Sequence, residues 1–415
     1  MAGAYSLKTF LRNAPPKQLK KHLKKCKVTP DVPWAQLSRA DLYKIAEAIQ
    51  RADGLTRAIL ENDFRAIFKM GDAKGAESLL QEGLNRHHNV DLALPFSRLE
   101  SDLARSYWTY FKHPELFRAA SDMRRADECA SWHKLSCLPS DKDPNTMEEV
   151  CKHLEKELSN YFSKNGHGRN CEVDDYAKEG KLYWFCHPEE RPKSPLAYNN
   201  KNELKPQLIR KAFDVVFQYS QEERFLEVYT RGGPKRIQNL QQIFCSVVLG
   251  FDLLDYNLSR QAYKLDCLLD RNYPLPLPPD SLTESVQLSS LKLLHENKQT
   301  NHSRKIIFEA DGKEDFTGVH DLIDALVAGK KVNRESLRVL RADFLLIFRQ
   351  REKDTKPLHL PFHITAPDMC SLRNDPDDEI AKELLKQWGI DVSRSAKNDS
   401  SKIGRILQHR ICPPS

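Results

Sequence analysis

Apolar residues recur at helical spacing through the first 165 residues of the chain. Between residues 38 and 54, Leu42, Ile45 and Ile49 form one stripe, with Ser38 placed as an N-cap and a glycine after the end. The stretch 56–71 repeats the pattern with larger apolar residues. The spacing predicts helices throughout this region, including 115–135, and no strand before about residue 170.

After residue 170 the apolar period shifts toward two, which is typical of strands. Residues 212–219 and 224–230 predict two strands around the polar turn SQEE, and a helix follows over 234–250. The segment 337–389 repeats this order of strand, strand and helix. An ancient duplication explains the likeness, and so does the chance recurrence of a common antiparallel unit.

Two interruptions suggest how the chain is divided. The stretch NGHGRN ends a predicted helix near residue 165, and YPLPLPPDS at 273–281 is rich in proline, which disfavours helix and predicts a linker. A helix is expected just before this linker, over 257–272. The fold class is therefore α+β, with an all-helical N-terminal domain followed by antiparallel strand pairs with packing helices. The expected boundaries are 1–165 for the helical domain, 166–272 and 282–392 for two α+β domains, and 393–415 for a mobile tail.

Composition places the chain among globular proteins, because 40% of its residues are apolar and 30% are charged. It has no run of about 18 uncharged apolar residues, and its first residues lack the apolar region of a signal peptide. None of the ten cysteines forms a C-x-x-C pair. Reduced thiols and a cytoplasmic location are therefore expected.

The positive charge of the chain is concentrated at its beginning. The formal net charge is +7, yet residues 1–27 contain eight Lys or Arg residues and no Asp or Glu. The remaining residues therefore sum to about −1. Such an asymmetry indicates an acidic partner, either nucleic acid or an acidic protein.

The stretch PPKQLKKHLKKCK, residues 15–27, holds most of this charge. Leu19 and Leu23 form a thin apolar stripe, and lysines surround it. Lysines that neutralise phosphates release counterions, whereas base reading typically uses arginine, so backbone contact is favoured. The stripe is too thin for a membrane surface, and a merely solvated helix is the simplest alternative. The predicted nucleic-acid-binding residues are Lys17, Lys20, Lys21, Lys24, Lys25 and Lys27.

A second basic group occurs in the sequence TRGGPKR. Arg231, Lys235 and Arg236 flank a predicted turn into a helix N-terminus, where backbone N–H groups can meet an anion. These three residues complete the predicted nucleic-acid-binding set.

Catalytic and metal-binding motifs are sparse. The sequence has no G-x-S-x-G, Walker lysine loop, G-x-G-x-x-G or H-E-x-x-H, so no cofactor or metal is predicted and an enzyme is the less favoured reading. Cys129, His133 and Cys137 are spaced to share one face of the helix expected there. That spacing suits part of a zinc site or ordinary buried thiols.

Three functions remain open. The first is a non-enzymatic nucleic-acid-associated protein or accessory subunit that binds the phosphate backbone through its basic N-terminal helix. The second is a metal-dependent nuclease using Glu309, Asp311 and Lys313, which follow a predicted strand, or using Glu227 with Lys235. The third is a protein–protein adaptor.

Overall fold

The computed structural model contains helices and an extended antiparallel sheet, which confirms the α+β class. It describes residues 5–85, 88–136, 138–139, 147–199, 203–255, 261–279, 281–297, 302–309, 318–329, 332–350 and 357–393. Within these ranges the chain forms two compact units. The described residues of Met1–Ala126 and Ser194–Leu208 form unit 1, and those of Asp127–Lys193 and Ile209–Ser415 form unit 2.

Twelve α-helices lie within the described residues, most of them in the first half of the chain. They are α1 Leu7–Asn13, α2 Pro16–Lys25, α3 Arg39–Arg51, α4 Gly54–Lys69, α5 Ala73–Gly83, α6 Ala93–Ser97, α7 Asp102–Lys112, α8 Pro114–Glu128, α9 Met147–Lys164, α10 Pro234–Val247, α11 Gly318–Ala328 and α12 Pro376–Gln387.

Twelve β-strands also lie within the described residues, and all their pairings are antiparallel. They are β1 Trp132–Ser136, β2 Cys171–Lys178, β3 Lys181–Pro188, β4 Leu196–Tyr198, β5 Leu204–Pro206, β6 Val215–Ser220, β7 Phe225–Thr230, β8 Thr283–Asn297, β9 His302–Glu309, β10 Leu337–Phe348, β11 His359–Thr365 and β12 Met369–Cys370.

Unit 1 is built from helices that bury one apolar stripe each. Phe10 of α1, Phe64 of α4 and Tyr107 of α7 are fully buried in one cluster. Helix starts are capped as the sequence predicts: the Ser38 hydroxyl accepts a hydrogen bond from the Asp41 N–H at 3.2 Å. The two short strands β4 and β5 form a hairpin that also belongs to this unit.

Unit 2 is organised around one sheet of ten strands in the order β2-β3-β6-β7-β1-β12-β11-β10-β8-β9. Strand β1 pairs with β7 on one side and β12 on the other, so it joins the two halves of the sheet. The first half buries an apolar face against α9 and α10, through residues such as Trp184, Phe217 and Phe244. The second half packs α11 and α12 over Leu291, Phe344 and their neighbours.

The opposite face of the first half carries polar residues that are nevertheless buried. Across four strands the register aligns Tyr183, Gln218, Glu227 and Lys134, each at most 5% exposed. The Gln218 amide donates to Glu227 at 3.1 Å and accepts from Asn374, just before α12, at 2.8 Å. A polar row therefore lies inside unit 2, and its Gln218, Glu227 and Lys134 side chains each have a partner, which for Lys134 is Asp391 at 2.6 Å.

The predicted strand–strand–helix segments are both present. Strands β6 and β7 precede α10, and strands β10 and β11 precede α12. Within the proline-rich segment, residues 273–278 form neither helix nor strand, as their composition predicts. The segment is also fixed in place, because the Tyr273 hydroxyl donates to the Trp388 carbonyl at 2.5 Å and the Trp388 indole donates to the Pro276 carbonyl at 2.9 Å.

Two element predictions are wrong. Residues Trp132–Ser136 form strand β1 and not part of a helix, because their backbone groups pair with β7 and β12. Over residues 261–272 the expected helix is reduced to a short 3-10 turn, Asp266–Leu269. Here Tyr263 forms a bridge with Asp391, and this long-range pairing outweighs the local helical pattern.

Candidate nucleic-acid interface

Helix α2 carries the basic stretch and begins at its paired prolines. Pro16 occupies the first helical position, where the missing N–H costs nothing and the fixed φ angle suits the helix. Lys24 and Lys25 lie in the last turn, where positive charge complements the helix dipole. The helix therefore forms where the sequence predicts it.

Three residues anchor α2 to the core of unit 1. Leu19 and Leu23 are fully buried, as predicted from their spacing, and His22 between them is only 1% exposed. The imidazole Nδ1 lies 3.0 Å from the Tyr107 hydroxyl, and Nε2 lies 2.9 Å from Asp63 Oδ2. His22 is thus a structural residue, a role that the sequence analysis did not assign to it.

Replacing His22 with phenylalanine is expected to destabilise unit 1 by about 1–3 kcal/mol, because the buried Tyr107 hydroxyl would lose its partner. Urea denaturation followed by circular dichroism measures the loss. Lys24→Ala, an exposed change on the same helix, is the control and should shift the free energy of unfolding by no more than about 0.5 kcal/mol. Equal stabilities for His22→Phe and wild type would contradict the anchoring role.

The predicted lysines of α2 all lie on its outer face. Lys17, Lys20, Lys21, Lys24 and Lys25 are exposed, and at 3.6 residues per turn they fall within an arc of about 140°. Lys27 follows the helix and is exposed as well. Among the described residues no carboxylate lies within 4.0 Å of any of their ammonium groups. We call these six residues the α2 lysine face.

One aromatic ring supports part of this face. The ammonium groups of Lys21 and Lys25 lie 5.6 Å and 5.9 Å from the centre of the half-buried Phe111 ring. Such contacts hold the aliphatic stems without neutralising the charge. The charges therefore remain available to a polyanion outside the protein.

The second predicted group lies in unit 2, at the turn between β7 and α10. Arg231 and Lys235 are exposed, whereas Arg236 is partly buried and donates to the Arg231 carbonyl at 2.7 Å. Gly232 has a φ angle of +145°, and a side chain there would meet the Arg236 Cδ at 2.6 Å. The glycine thus gives Arg236 room to fold back against the turn.

Sequence reasoning missed other basic residues near this turn. Lys193, Lys211 and His167 line a cleft together with Arg231 and Arg236, whereas Lys235 does not. These residues come from separate segments of the chain. No local spacing signals their proximity.

The argument for a zinc site at Cys129, His133 and Cys137 depended on a helix that would place them on one face. His133 does not lie in a helix, so the argument no longer holds. His133 lies on strand β1 and its Nδ1 is 3.0 Å from Asp368 Oδ1. Cys137 lies outside the described residues. The eight cysteines within the described residues are free thiols, and burial raises the pKa of Cys151 to about 12 and that of Cys186 well above its ordinary value. Such thiols are suited to packing.

The carboxylates of the nuclease alternative are placed only in part. Glu309 ends β9 and lines a cavity of about 770 Å³ with Lys292 and Asp343, but Asp343 is held by the Arg341 guanidinium at 3.0 Å. Asp311 and Lys313 lie outside the described residues. Glu227 is buried in the polar row, on the sheet face opposite α10, so it does not meet the exposed Lys235.

Comparison with known proteins supplies no family. No family model matches the chain, and no curated protein is significantly similar to it. Among the described residues, none of the helices combines the length and the apolarity that crossing a bilayer requires.

Proposed function

We propose that this protein binds the phosphate backbone of nucleic acid, without sequence preference and without catalysing a reaction, through the α2 lysine face. The observation that carries the proposal is that these six lysines are exposed and unpaired. Among the described residues no carboxylate lies within ion-pairing distance of them, and His22 anchors the helix that bears them. A helix whose lysines served only internal ion pairs would show acidic neighbours. A protein of this kind would act as an accessory subunit.

The dimensions of α2 suit a phosphate backbone. Ten residues at 1.5 Å per residue span about 15 Å, and duplex DNA carries one charge per about 1.7 Å of its axis. A duplex lying along the helix therefore presents more phosphates than there are lysines. All six ammonium groups can find a phosphate without a defined register, which favours binding that is independent of sequence.

The salt dependence of binding is expected to be steep. If the six lysines each neutralise one phosphate, the slope of log K against log salt is about −5, and affinity falls about 10³-fold between 50 and 200 mM salt. Fluorescence anisotropy with labelled duplexes of two unrelated sequences measures the slope and the sequence preference.

A slope shallower than about −2 would contradict contact through the α2 lysine face, as would a strong preference for one duplex. In that case an acidic protein becomes the better partner for these lysines. The same duplexes incubated with Mg²⁺ or Mn²⁺ are expected to remain intact, and cleavage would instead support the nuclease alternative.

A further inference from the structure

A cleft of about 440 Å³ opens in unit 2 beside the turn that joins β7 to α10. Its volume lies in the range of small-molecule sites, roughly 300–1,000 Å³. Lys193, Lys211, Arg231 and Arg236 line it, together with His167 and Phe213. We call this the β7–α10 cleft.

The two carboxylates that line the cleft, Glu190 and Asp214, form an ion pair with only one of its four cations. Glu190 lies 3.0 Å from the Lys193 ammonium group, and Asp214 lies 3.1 Å from Nδ1 of His187. Within the part of the chain that the structure describes, Lys211 and Arg231 form no ion pair. Lys211 and Arg231 therefore lie in this wall without a direct ion pair, as does Arg236, and the Glu190 charge acts on Lys211 from a longer distance.

The Arg236 guanidinium is held in place before any ligand arrives. It lies 5.7 Å from the centre of the Phe162 ring and 6.0 Å from that of Phe213, and it donates to the Arg231 carbonyl. It also lies in the first turn of α10, where the helix dipole is positive. A fixed guanidinium fork matches the geometry of phosphate oxygens, and little conformational entropy is lost when it binds them.

His167 adds a buried polar group that has no partner. Neither Nδ1 nor Nε2 is exposed, and neither has a hydrogen-bond partner among the described residues. Burial lowers the pKa of His167, and the nearby charges of Arg236 and Arg191 lower it further. Because neither nitrogen is exposed to the empty cleft, His167 contributes an aromatic ring packed against Phe162 and Phe213, and a ligand would reach its nitrogens only if the ring moved.

We infer that the β7–α10 cleft binds a phosphate monoester, specifically the terminal phosphate of a nucleic-acid strand. Two unpaired cations and a pre-positioned guanidinium suit a dianion better than the single charge of a backbone diester. A cleft also suits the end of a strand, whereas the exposed α2 lysine face suits its length. The inference rests on the proposed function in one respect, namely that the molecule bearing the phosphate is nucleic acid.

Matched oligonucleotides test the inference on the full chain. Single strands of one sequence with a 5′-phosphate, a 3′-phosphate or hydroxyl ends are titrated at fixed ionic strength. One of the phosphorylated strands is expected to bind about tenfold more tightly than the hydroxyl strand, because charge-assisted hydrogen bonds of this kind are worth about that ratio. Inorganic phosphate should compete for the cleft and abolish the tighter binding of the phosphorylated strand.

Variants assign the effect to the cleft. The double variant Lys211→Gln and Arg231→Gln is expected to reduce the advantage to near onefold, while Lys235→Gln, an exposed neighbour that does not line the cleft, should retain it. Circular dichroism confirms that each variant folds. Equal binding of all three strands by wild type would overturn the inference, and so would an advantage that survives in the double variant.

The two proposals can fail separately. Charge reversal on α2 should weaken binding of all three strands and leave their ratio unchanged. Suppose that the phosphorylated and hydroxyl strands bind equally, while binding still weakens with salt and with charge reversal on α2. The cleft inference is then overturned and the proposed function stands. A third outcome concerns the molecule that carries the phosphate. If inorganic phosphate binds the cleft but a phosphoserine peptide displaces it as well as the phosphorylated strand does, the assignment of nucleic acid as that molecule is overturned.

Discussion

Replacing Asp391 with alanine is expected to lower the free energy of unfolding of unit 2 by about 3–5 kcal/mol. Asp391 Oδ2 lies 2.6 Å from the Lys134 ammonium group, and each side chain is only 4% exposed. The change would leave a buried ammonium group without its counter-charge, and the Ser393 hydroxyl at 3.1 Å is too weak a partner to replace it. Urea denaturation followed by tryptophan fluorescence measures the loss.

An exposed ion pair of the same unit provides the control. Arg338 and Asp266 are 3.8 Å apart with side chains 58% and 45% exposed, so Arg338→Ala should cost no more than about 1 kcal/mol. The double variant Lys134→Met with Asp391→Leu should be more stable than Asp391→Ala alone, because no buried charge is left unpaired. Equal costs for Asp391→Ala and Arg338→Ala would contradict the buried-pair argument.

The cost of the Asp391→Ala change should also depend on pH. Burial by itself would raise the pKa of Asp391, but the Lys134 charge and hydrogen bonds from Ser393 outweigh it and lower that pKa below its ordinary value. The stabilisation is therefore fully present above the unfolded pKa, about 3.9, and is lost as pH falls toward the lowered folded pKa. The difference between wild type and Asp391→Ala should stay constant near neutral pH and shrink below about pH 4.

The predictable parts of this fold are those whose signal is local. The face of α2 could be foreseen because period, charge and paired prolines all lie within thirteen residues. Strands β6 and β7 were likewise visible, since the turn between them separates two short apolar runs. In these segments the tertiary structure agrees with what neighbouring residues already favour.

What could not be foreseen depends on contacts between distant segments. Strand β1 has five residues in a helical context, and it is extended because β7 and β12 supply its hydrogen bonds. Lys134 falls in a predicted helix and Glu227 in a predicted strand, yet each is buried beside a partner from another segment, Asp391 for Lys134 and Gln218 for Glu227. The alternation of apolar and polar residues along a strand does not distinguish a solvent-exposed polar face from one that α12 covers.

The β7–α10 cleft illustrates the same limit for function. Arg231 and Arg236 drew notice as part of one basic stretch, whereas Lys193, Lys211 and His167 belong to three other segments. Lys235 shared the stretch but does not line the cleft. Spacing along the chain identified the turn, but only the fold determines which cations converge.

Reversing four charges on the α2 lysine face is expected to abolish most nucleic-acid binding. Changing Lys20, Lys21, Lys24 and Lys25 to Glu removes four phosphate contacts, so the slope of log K against log salt should fall from about −5 to about −2. Affinity at low salt should drop by at least about 10³-fold, since the new carboxylates also repel phosphate. Anisotropy titrations with labelled duplex measure both quantities.

The fold should survive these reversals, because the four side chains are exposed and Glu forms helix about as well as Lys. The matched control reverses four exposed cations on other helices of unit 1, namely Lys44, Arg57, Lys69 and Lys74. Both variants change the net charge equally, so any effect of overall charge is common to them. An equal loss of affinity in both variants would mean that the α2 lysine face contributes only through the net charge of the protein. Unchanged binding in the α2 variant would remove the basis of the proposed function, because no other described element of unit 1 presents so many unpaired ammonium groups on one face.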